Sequence, residues 1–96
     1  MKRLFNRAAE VLRGNDRGSH TVPAPNLYPL QWAWDSAFAA IGWACIDPPR
    51  GLREMRSLLE GQWEDGRIPH IRFDPHSSEY FPGPELWGSG GTSSIT

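Results

Sequence analysis

The part of the sequence that decides the fold lies at residues 34–46 and reads WDSAFAAIGWACI. Only Asp35 and Ser36 in this stretch are polar, so a helix formed by it has no polar face. Such a helix has to be buried on every side, and 96 residues contain little other chain to bury it. The stretch therefore predicts a helix that belongs to a larger helical assembly.

A second helix is predicted before this stretch and a third after it. Residues 2–13 have apolar positions at helical spacing and are followed by Gly14 and Asn15, which predicts an amphipathic packing helix that stops there. After residue 46, Asp47 can cap a new helix with Pro48 at its first position. The short connection through Asp47 and Pro48 predicts an antiparallel αα-hairpin.

The spacing also predicts which faces of the two amphipathic helices are buried. The apolar face of the first helix comprises Leu4, Phe5, Ala8, Val11 and Leu12, and that of the third comprises Leu52, Met55, Leu58, Leu59 and Trp63. The side of the third helix that we expect in solvent comprises Arg50, Arg53, Glu54, Arg56 and Glu60. These basic and acidic residues alternate, which is typical of a solvated face and not of a nucleic-acid surface.

The rest of the chain reads as ordered loops, because glycine (10) and proline (9) are frequent while five tryptophans argue against disorder. We expect an irregular segment at residues 15–30, a turn at Asp65 and Gly66, and a short extended segment at residues 68–73. Pro69 limits that extended segment to a sheet edge. The predicted fold class is all-α, with about three helices and long loops.

The C-terminal part contains three further short segments. Residues 81–87 predict a rigid aromatic loop, and residues 88–91 are glycine-rich and predicted to be flexible. Residues 92–96 read TSSIT, which resembles the start of a helix with nothing after it. We therefore expect the chain to stop early and to be part of a longer protein.

Composition and motifs exclude several classes. The formal net charge is −1, which excludes a strongly basic nucleic-acid binder, and no apolar run is long enough to span a membrane. The basic start lacks the apolar stretch of a signal peptide, and the single Cys45 among apolar neighbours predicts a buried thiol in a reducing, cytoplasmic location. His20, His70 and His76 lack zinc-ligand spacing, so no metal or cofactor is expected.

The densest group of functional side chains lies at residues 28–38, YPLQWAWDSAF. Tyr28, Trp32 and Trp34 stand beside one carboxylate, Asp35, in the first turn of the apolar helix. Aromatic faces stack on the C–H face of a sugar, and a carboxylate can accept hydrogen bonds from two neighbouring hydroxyls. The segment therefore favours a sugar-binding site.

Each of these residues also has an ordinary structural explanation. Asp35 can cap its helix, and Trp32 and Trp34 can pack in a core. His70 can donate to a ligand hydroxyl or bind a buried backbone carbonyl. Tyr80 likewise allows either a ligand contact or a structural contact. For Glu85, a solvated carboxylate is the simpler interpretation.

Three ordered motifs resemble glycoside hydrolase family 63, in the branch of bacterial mannosylglycerate and glucosylglycerate hydrolases. They are the segment at residues 28–38, GQWEDGRIPH at residues 61–70, and YFPGPELW at residues 80–87, followed by TSSIT at residues 92–96. The resemblance covers about residues 8–96. It implies that residues 1–96 are an N-terminal fragment of an (α/α)6 toroidal catalytic domain that cleaves an α-glycosidic bond with inversion.

The resemblance also implies roles for individual residues. The positions that match the sugar and glycerate pocket are Tyr28, Trp32, Trp34, Asp35, His70 and Tyr80, with Gln62 and Trp63 as weaker candidates. Asp35 would bind hydroxyls in the −1 subsite. The general acid and the general base are expected beyond residue 96, so neither Asp65 nor Glu85 is assigned to these roles.

Two positions depart from the family pattern. Ala33 stands where the family has Asn, which removes a polar group near the pocket. Ser94 stands where the family has Gly, and a positive φ at that position would be strained.

Three functions compete at this stage. The first is a hydrolase of a small anionic glycoside, whose partners are that glycoside and the remainder of the barrel. The second is a non-catalytic carbohydrate-binding module, and the third is an interaction protein whose apolar helix docks on another chain, including a homo-oligomer. Neither nucleic acid nor membrane is an expected partner.

Overall fold

The computed structural model describes residues 1–74, 80–88 and 93–94. The helices are α1 (Lys2–Gly14), α2 (Ala33–Ala44), α3 (Pro48–Leu59) and α4 (Pro84–Trp87), and the strands are β1 (Gln31–Trp32), β2 (Ile71–Arg72) and β3 (Ser93–Ser94). The three long helices confirm the predicted mainly helical fold. Of the small sheet, the sequence predicted only the extended segment that contains β2; β1 and β3 were not predicted.

The pairing of α2 with α3 is the main packing contact of the fold. Asp47 caps α3 as predicted, since its Oδ1 accepts from the backbone N–H of Arg50 at 3.2 Å. A Cβ placed on Gly51 would lie 3.0 Å from the carbonyl oxygen of Ala40. The absence of a side chain at Gly51 therefore lets the two helices approach closely.

The predicted orientation of α3 is wrong in part: Leu58 is buried and Arg53 is exposed as expected, but the centre of the buried face is polar. Its buried residues are Arg50, Gly51, Glu54, Ser57 and Leu58, while Leu52 and Leu59 are exposed. Arg50 and Glu54, expected in solvent, are the most buried charged side chains in the described part of the chain. The hydrogen bonds that they make inside outweigh the apolar periodicity of the helix.

The apolar face predicted for α1 is also largely exposed. Leu4, Phe5 and Val11 face outward, and the one buried residue of the helix, Ala9, is not on the predicted face. Only the C-terminal half of the predicted face has a neighbour, where Leu12 lies against Gly42 of α2. The helix ends at Asn15 as expected.

The three strands form one antiparallel sheet in the order β1-β2-β3. β2 is therefore central and not an edge strand, because Pro69 precedes the strand and leaves its paired residues able to donate. The small core beside the sheet contains Leu30, Trp32, Ile71 and Phe73, with Tyr80 packed against it.

The loops agree with the sequence in part. Residues 15–30 are irregular, apart from two isolated bridges, and Gly66 has a φ of +92° in the predicted turn. Ser94 lies in β3, so residues 93–94 are not the start of a helix, and no described non-glycine residue has a positive φ. Residues 89–91, part of the predicted flexible segment, and His76 lie outside the described residues.

Cys45 is exposed at the C-terminal end of α2, which corrects the predicted buried thiol. The residue follows the last turn of α2, and its thiol donates to the Ile41 carbonyl of that helix at 3.5 Å. No described helix has the length and hydropathy that a bilayer crossing requires. The described residues also contain no cluster of metal-ligating side chains.

Candidate functional site

The site begins where β1 passes directly into α2. Trp32 has extended backbone angles, and the N–H of the next residue, Ala33, donates to the carbonyl of His70 at 2.8 Å. This bond anchors the start of α2 to the segment before β2. It also places Trp32 beside the sheet core and Asp35 in the first turn of the helix.

Asp35 lies at a cavity and does not cap its helix. Its side chain is half-buried, and within the described part of the chain its carboxylate makes no hydrogen bond or ion pair. It lines a cavity of about 200 Å³ together with Pro23, Tyr28 and Trp32. The carboxylate is therefore available to a ligand in that cavity.

Trp32 makes ring contacts with two other predicted site residues, Tyr28 and Tyr80. Its ring centroid lies 5.6 Å from that of Tyr28 and 5.0 Å from that of Tyr80, both in edge-to-face geometry. Trp32 is 8% exposed and belongs to the core, while Tyr28 is 48% exposed. The core residue thus orients an accessible tyrosine at the cavity.

Trp34 faces a second cavity. Its ring is 70% exposed and packs on Phe38 at 5.2 Å, so it is not a core residue of the described chain. The second cavity measures about 410 Å³ and shares Asp35 and Pro23 with the first. Asp35 is consequently the carboxylate common to both cavities.

The other sequence candidates lie apart from these cavities. The His70 side chain is exposed, and its backbone carbonyl makes the contact to α2. Gln62 donates to the carbonyl of Gly66 at 2.9 Å, and the Arg67 guanidinium stacks on Trp63 at 5.1 Å. The sugar-binding role of these residues stays a prediction.

A buried polar cluster next to Asp35 was missed by the sequence analysis. Glu54 is fully buried and its carboxylate accepts from the hydroxyls of Ser36 and Thr21, at 2.7 and 2.8 Å. Arg50 donates to Glu54 at 3.0 Å and to Asp16 at 2.9 Å. The helical i,i+4 spacing of Arg50 and Glu54 was a signal for an ion pair, but it does not show burial.

The cluster continues into β1 and β2. Gln31 donates to Ser36 at 3.0 Å and accepts from Ser57 at 3.1 Å. The Arg72 guanidinium donates to the carbonyl of Ser57. In the described residues no buried side-chain polar atom lacks a partner, so the cluster is internally satisfied.

Electrostatics favour the ionised forms of Asp16 and Arg50. Burial raises the pKa of Asp16, but hydrogen bonds from Arg50 and the Gly18 N–H, with the charge of Arg50, outweigh it and leave the pKa lowered. Burial lowers the pKa of Arg50, and bonds to Asp16 and Glu54 reverse the effect, so this pKa is raised.

His20 lies beside the same cluster, at a third cavity of about 250 Å³. Burial lowers the pKa of His20, with a further contribution from the positive charge of Arg72. The charge of Glu54 acts in the opposite direction. We expect a neutral imidazole at this position near pH 7.

Solved structures show the class of protein to which this arrangement belongs. A GH63 mannosylglycerate hydrolase from Thermus thermophilus, in complex with Tris and D-glycerate, superposes with a TM-score of 0.84 at 52% identity over 94% of this chain. The same enzyme in complex with glucose gives a TM-score of 0.71 at 48% identity. The described fold is thus that of part of a GH63 glycoside hydrolase domain.

The family follows from sequence comparison. The mannosylglycerate hydrolase MGH1-like glycoside hydrolase domain matches residues 28–96. A mannosylglycerate hydrolase of Thermus thermophilus is 53% identical over 85% of this chain, and the glucosylglycerate hydrolase of Mycolicibacterium hassiacum is 50% identical over 90%. The chain belongs to this MGH1-like glycoside hydrolase family, and it spans about a fifth of the length of these relatives.

Proposed function

We propose that this chain forms part of the (α/α)6 catalytic domain of an inverting α-glycoside hydrolase. Residues 1–96 would supply part of the −1 sugar pocket, and the substrate would be a small anionic glycoside such as mannosylglycerate or glucosylglycerate. The observation that carries the proposal is the carboxylate of Asp35, which faces a cavity lined by Trp32 and Tyr28 without a protein partner in the described residues.

The chemistry of the cavity suits a pyranose. A sugar ring presents apolar C–H groups to an aromatic wall and hydroxyls to a polar group. Tyr28 offers a half-exposed ring and a hydroxyl, and Asp35 offers two acceptor oxygens. The exposed ring of Trp34, at the adjoining cavity, extends the aromatic surface beyond this first sugar position.

The relatives support the substrate class. The curated relatives carry the names mannosylglycerate hydrolase and glucosylglycerate hydrolase, and solved relatives contain D-glycerate or glucose. An anionic aglycone would require cations near the position that the aglycone occupies. We expect those cations from segments of the full protein outside residues 1–96, together with the groups that distinguish mannose from glucose.

The general acid and base would come from other segments of the protein. Inversion needs two carboxyl groups about 6.5–9.5 Å apart with a water between them. Asp65 is paired with Arg67 at 2.7 Å, and Glu85 is exposed on α4, so neither has the environment of such a group. We therefore assign Asp35 to binding and not to proton transfer.

The remaining partners follow from the same proposal. The rest of the barrel would cover the exposed sides of α1 and α2, and a homo-oligomer is a second way to cover them. A cytoplasmic location is proposed because a single cysteine gives the described chain no internal disulfide.

The test is hydrolysis by the protein expressed from its full natural reading frame. Sugar release from mannosylglycerate and glucosylglycerate is measured for the unsubstituted protein and for Asp35→Asn. Loss of two charge-assisted hydrogen bonds predicts a decrease in kcat/KM on the order of 100-fold.

Asp47→Asn is the matched control, because Asn caps a helix as well as Asp and residue 47 does not line any of the three cavities. We expect Asp47→Asn to leave kcat/KM unchanged. Saturable sugar binding without any release would favour a non-catalytic carbohydrate-binding module. Equal activity of Asp35→Asn and the unsubstituted protein would overturn the role of Asp35.

A further inference from the structure

One carboxylate oxygen connects the two chain segments that form the cavity of Asp35. Glu54 Oε1 accepts from the backbone N–H of Thr21 at 3.0 Å and from the hydroxyl of Ser36 at 2.7 Å. Thr21 lies two residues before Pro23, which lines the cavity, and Ser36 directly follows Asp35. A single buried acceptor therefore links the two segments that carry the cavity walls.

The second oxygen holds the same carboxylate in place. Glu54 Oε2 accepts from the hydroxyl of Thr21 at 2.8 Å and from the guanidinium of Arg50 at 3.0 Å. Thr21 in turn accepts from the indole N–H of Trp43 at 2.8 Å. Glu54 and Ser36 are fully buried, so water does not compete for these bonds.

We propose that Glu54 is a positioning residue of the sugar site: it acts through Ser36 and Thr21 to set the distance between Asp35 and the wall that contains Pro23. This inference rests on the proposed function. Glu54 itself would not touch the substrate, since its four donors occupy both oxygens.

Replacement by glutamine tests the role with almost no change of volume. An amide nitrogen at the Oε1 position would face the Thr21 N–H, and one at the Oε2 position would face the Arg50 guanidinium. Both groups are donors only, so each orientation of the amide places donors against each other. Glu54→Gln therefore disturbs the link in either rotamer.

The experiment is a double-mutant cycle in the protein expressed from its full natural reading frame. Glu54→Gln is introduced into the unsubstituted protein and into Asp35→Asn, and kcat/KM and thermal unfolding are measured for all four proteins. A small displacement of Asp35 predicts a decrease in kcat/KM on the order of 10- to 100-fold in the Asp35 protein. In the Asp35→Asn background, Glu54→Gln should lower kcat/KM by less than about threefold, because the carboxylate that Glu54 positions is absent.

Stability separates positioning from folding. The change in melting temperature should be equal in the two backgrounds, since Asp35 is not among the hydrogen-bond partners of Glu54. Ser36→Ala is the second variant of the cycle if Glu54→Gln does not fold, because it removes the hydrogen bond from α2 to Glu54, together with the one that Ser36 accepts from Gln31, and keeps the Glu54 carboxylate with its bonds to Thr21 and Arg50. Glu60→Gln, an exposed glutamate at the end of α3, is the matched control and should leave kcat/KM unchanged.

The outcomes distinguish this inference from the proposed function. Equal fold-losses in both backgrounds would overturn the positioning role while leaving the hydrolase proposal intact. Absence of hydrolysis by the unsubstituted protein would overturn the hydrolase proposal and this inference with it. A loss confined to the Asp35 background supports both.

Discussion

Arg50 and Asp16 show how single charged residues stabilise the interior of this chain. Arg50 is 1% exposed, and its guanidinium donates to Asp16, Glu54 and Thr21. It also lies 4.8 Å from the ring centre of Trp43. A buried cation is tolerated only when its N–H groups are hydrogen-bonded to acceptors in this way. Removal of one acceptor leaves an uncompensated charge in the interior.

The lowered pKa of Asp16 predicts a pH-dependent contribution to stability. A carboxyl whose pKa is lower in the folded state stabilises the protein above its unfolded pKa, near the ordinary value of 3.8, and loses this contribution as the pH falls through the folded pKa. Asp16→Asn should therefore lower the melting temperature at pH 7, and the difference should shrink as the pH approaches 3.

Melting curves of both proteins between pH 7 and pH 3 provide the measurement. Glu10→Gln, which changes an exposed carboxylate on α1, is the control and should not alter the melting temperature at pH 7. A constant difference between Asp16→Asn and the unsubstituted protein across this range would contradict the prediction.

At the scale of elements, the α2–α3 hairpin depends on a polar interface and on one close approach. Arg50 and Glu54 of α3 are buried because Thr21, Ser36 and Asp16 make the hydrogen bonds that water would otherwise make with them. Gly51 is the point of closest approach, where an added Cβ would lie 3.0 Å from the Ala40 carbonyl and 3.3 Å from the Ala44 nitrogen.

Gly51→Ala should therefore destabilise the hairpin. Helix propensity favours alanine by about 1 kcal/mol, but backbone overlap in a packed interface costs about 1–3 kcal/mol and has no flexible side chain to relieve it. We expect a net decrease in the free energy of unfolding, measured with urea.

Gly14→Ala is the matched control, because nothing lies within 4 Å of a Cβ at the end of α1. It should leave stability unchanged or slightly raised. A gain in stability for Gly51→Ala would contradict the prediction, because it would show that the two helices can move apart without a loss of stability.

At the scale of the whole molecule, the described chain leaves apolar helix faces uncovered. Trp34, Phe38 and Ile41 on α2 are 59–70% exposed, and Leu4 and Val11 on α1 are exposed to a similar degree. Exposed apolar patches of this kind mark surfaces that pack against other segments of the same protein or against another molecule. Since the relatives are about five times longer, their additional chain is available to cover such faces.

The 96-residue chain on its own should self-associate through α2. Light scattering as a function of concentration measures the effect, and Ile41→Lys should shift the chain towards the monomer because it places a charge within the apolar stripe. Leu27→Lys changes an exposed leucine outside the helices and should have no effect. A monomeric unsubstituted chain at all concentrations would contradict this prediction.

The sequence predicted the three long helices and the proximity of several residues of the candidate site. The apolar run at residues 34–46 predicted α2, and Asp47 with Pro48 predicted the start of α3. The dipeptide Asp65-Gly66 predicted the turn at Gly66. These features depend on local backbone preferences, which the sequence contains directly. The grouping of Tyr28, Trp32 and Asp35 was also predicted, because the three residues lie close together in the chain.

Only the tertiary structure decided which faces are buried. Periodicity assigned Leu52 and Leu59 to the interior of α3 and Arg50 and Glu54 to solvent, and the structure reverses both assignments. The reversal depends on Asp16, Thr21 and Ser36, which lie between 18 and 34 residues away from their partners along the chain. Burial of a charge is set by the partners that the fold brings to it, and no local pattern contains that information.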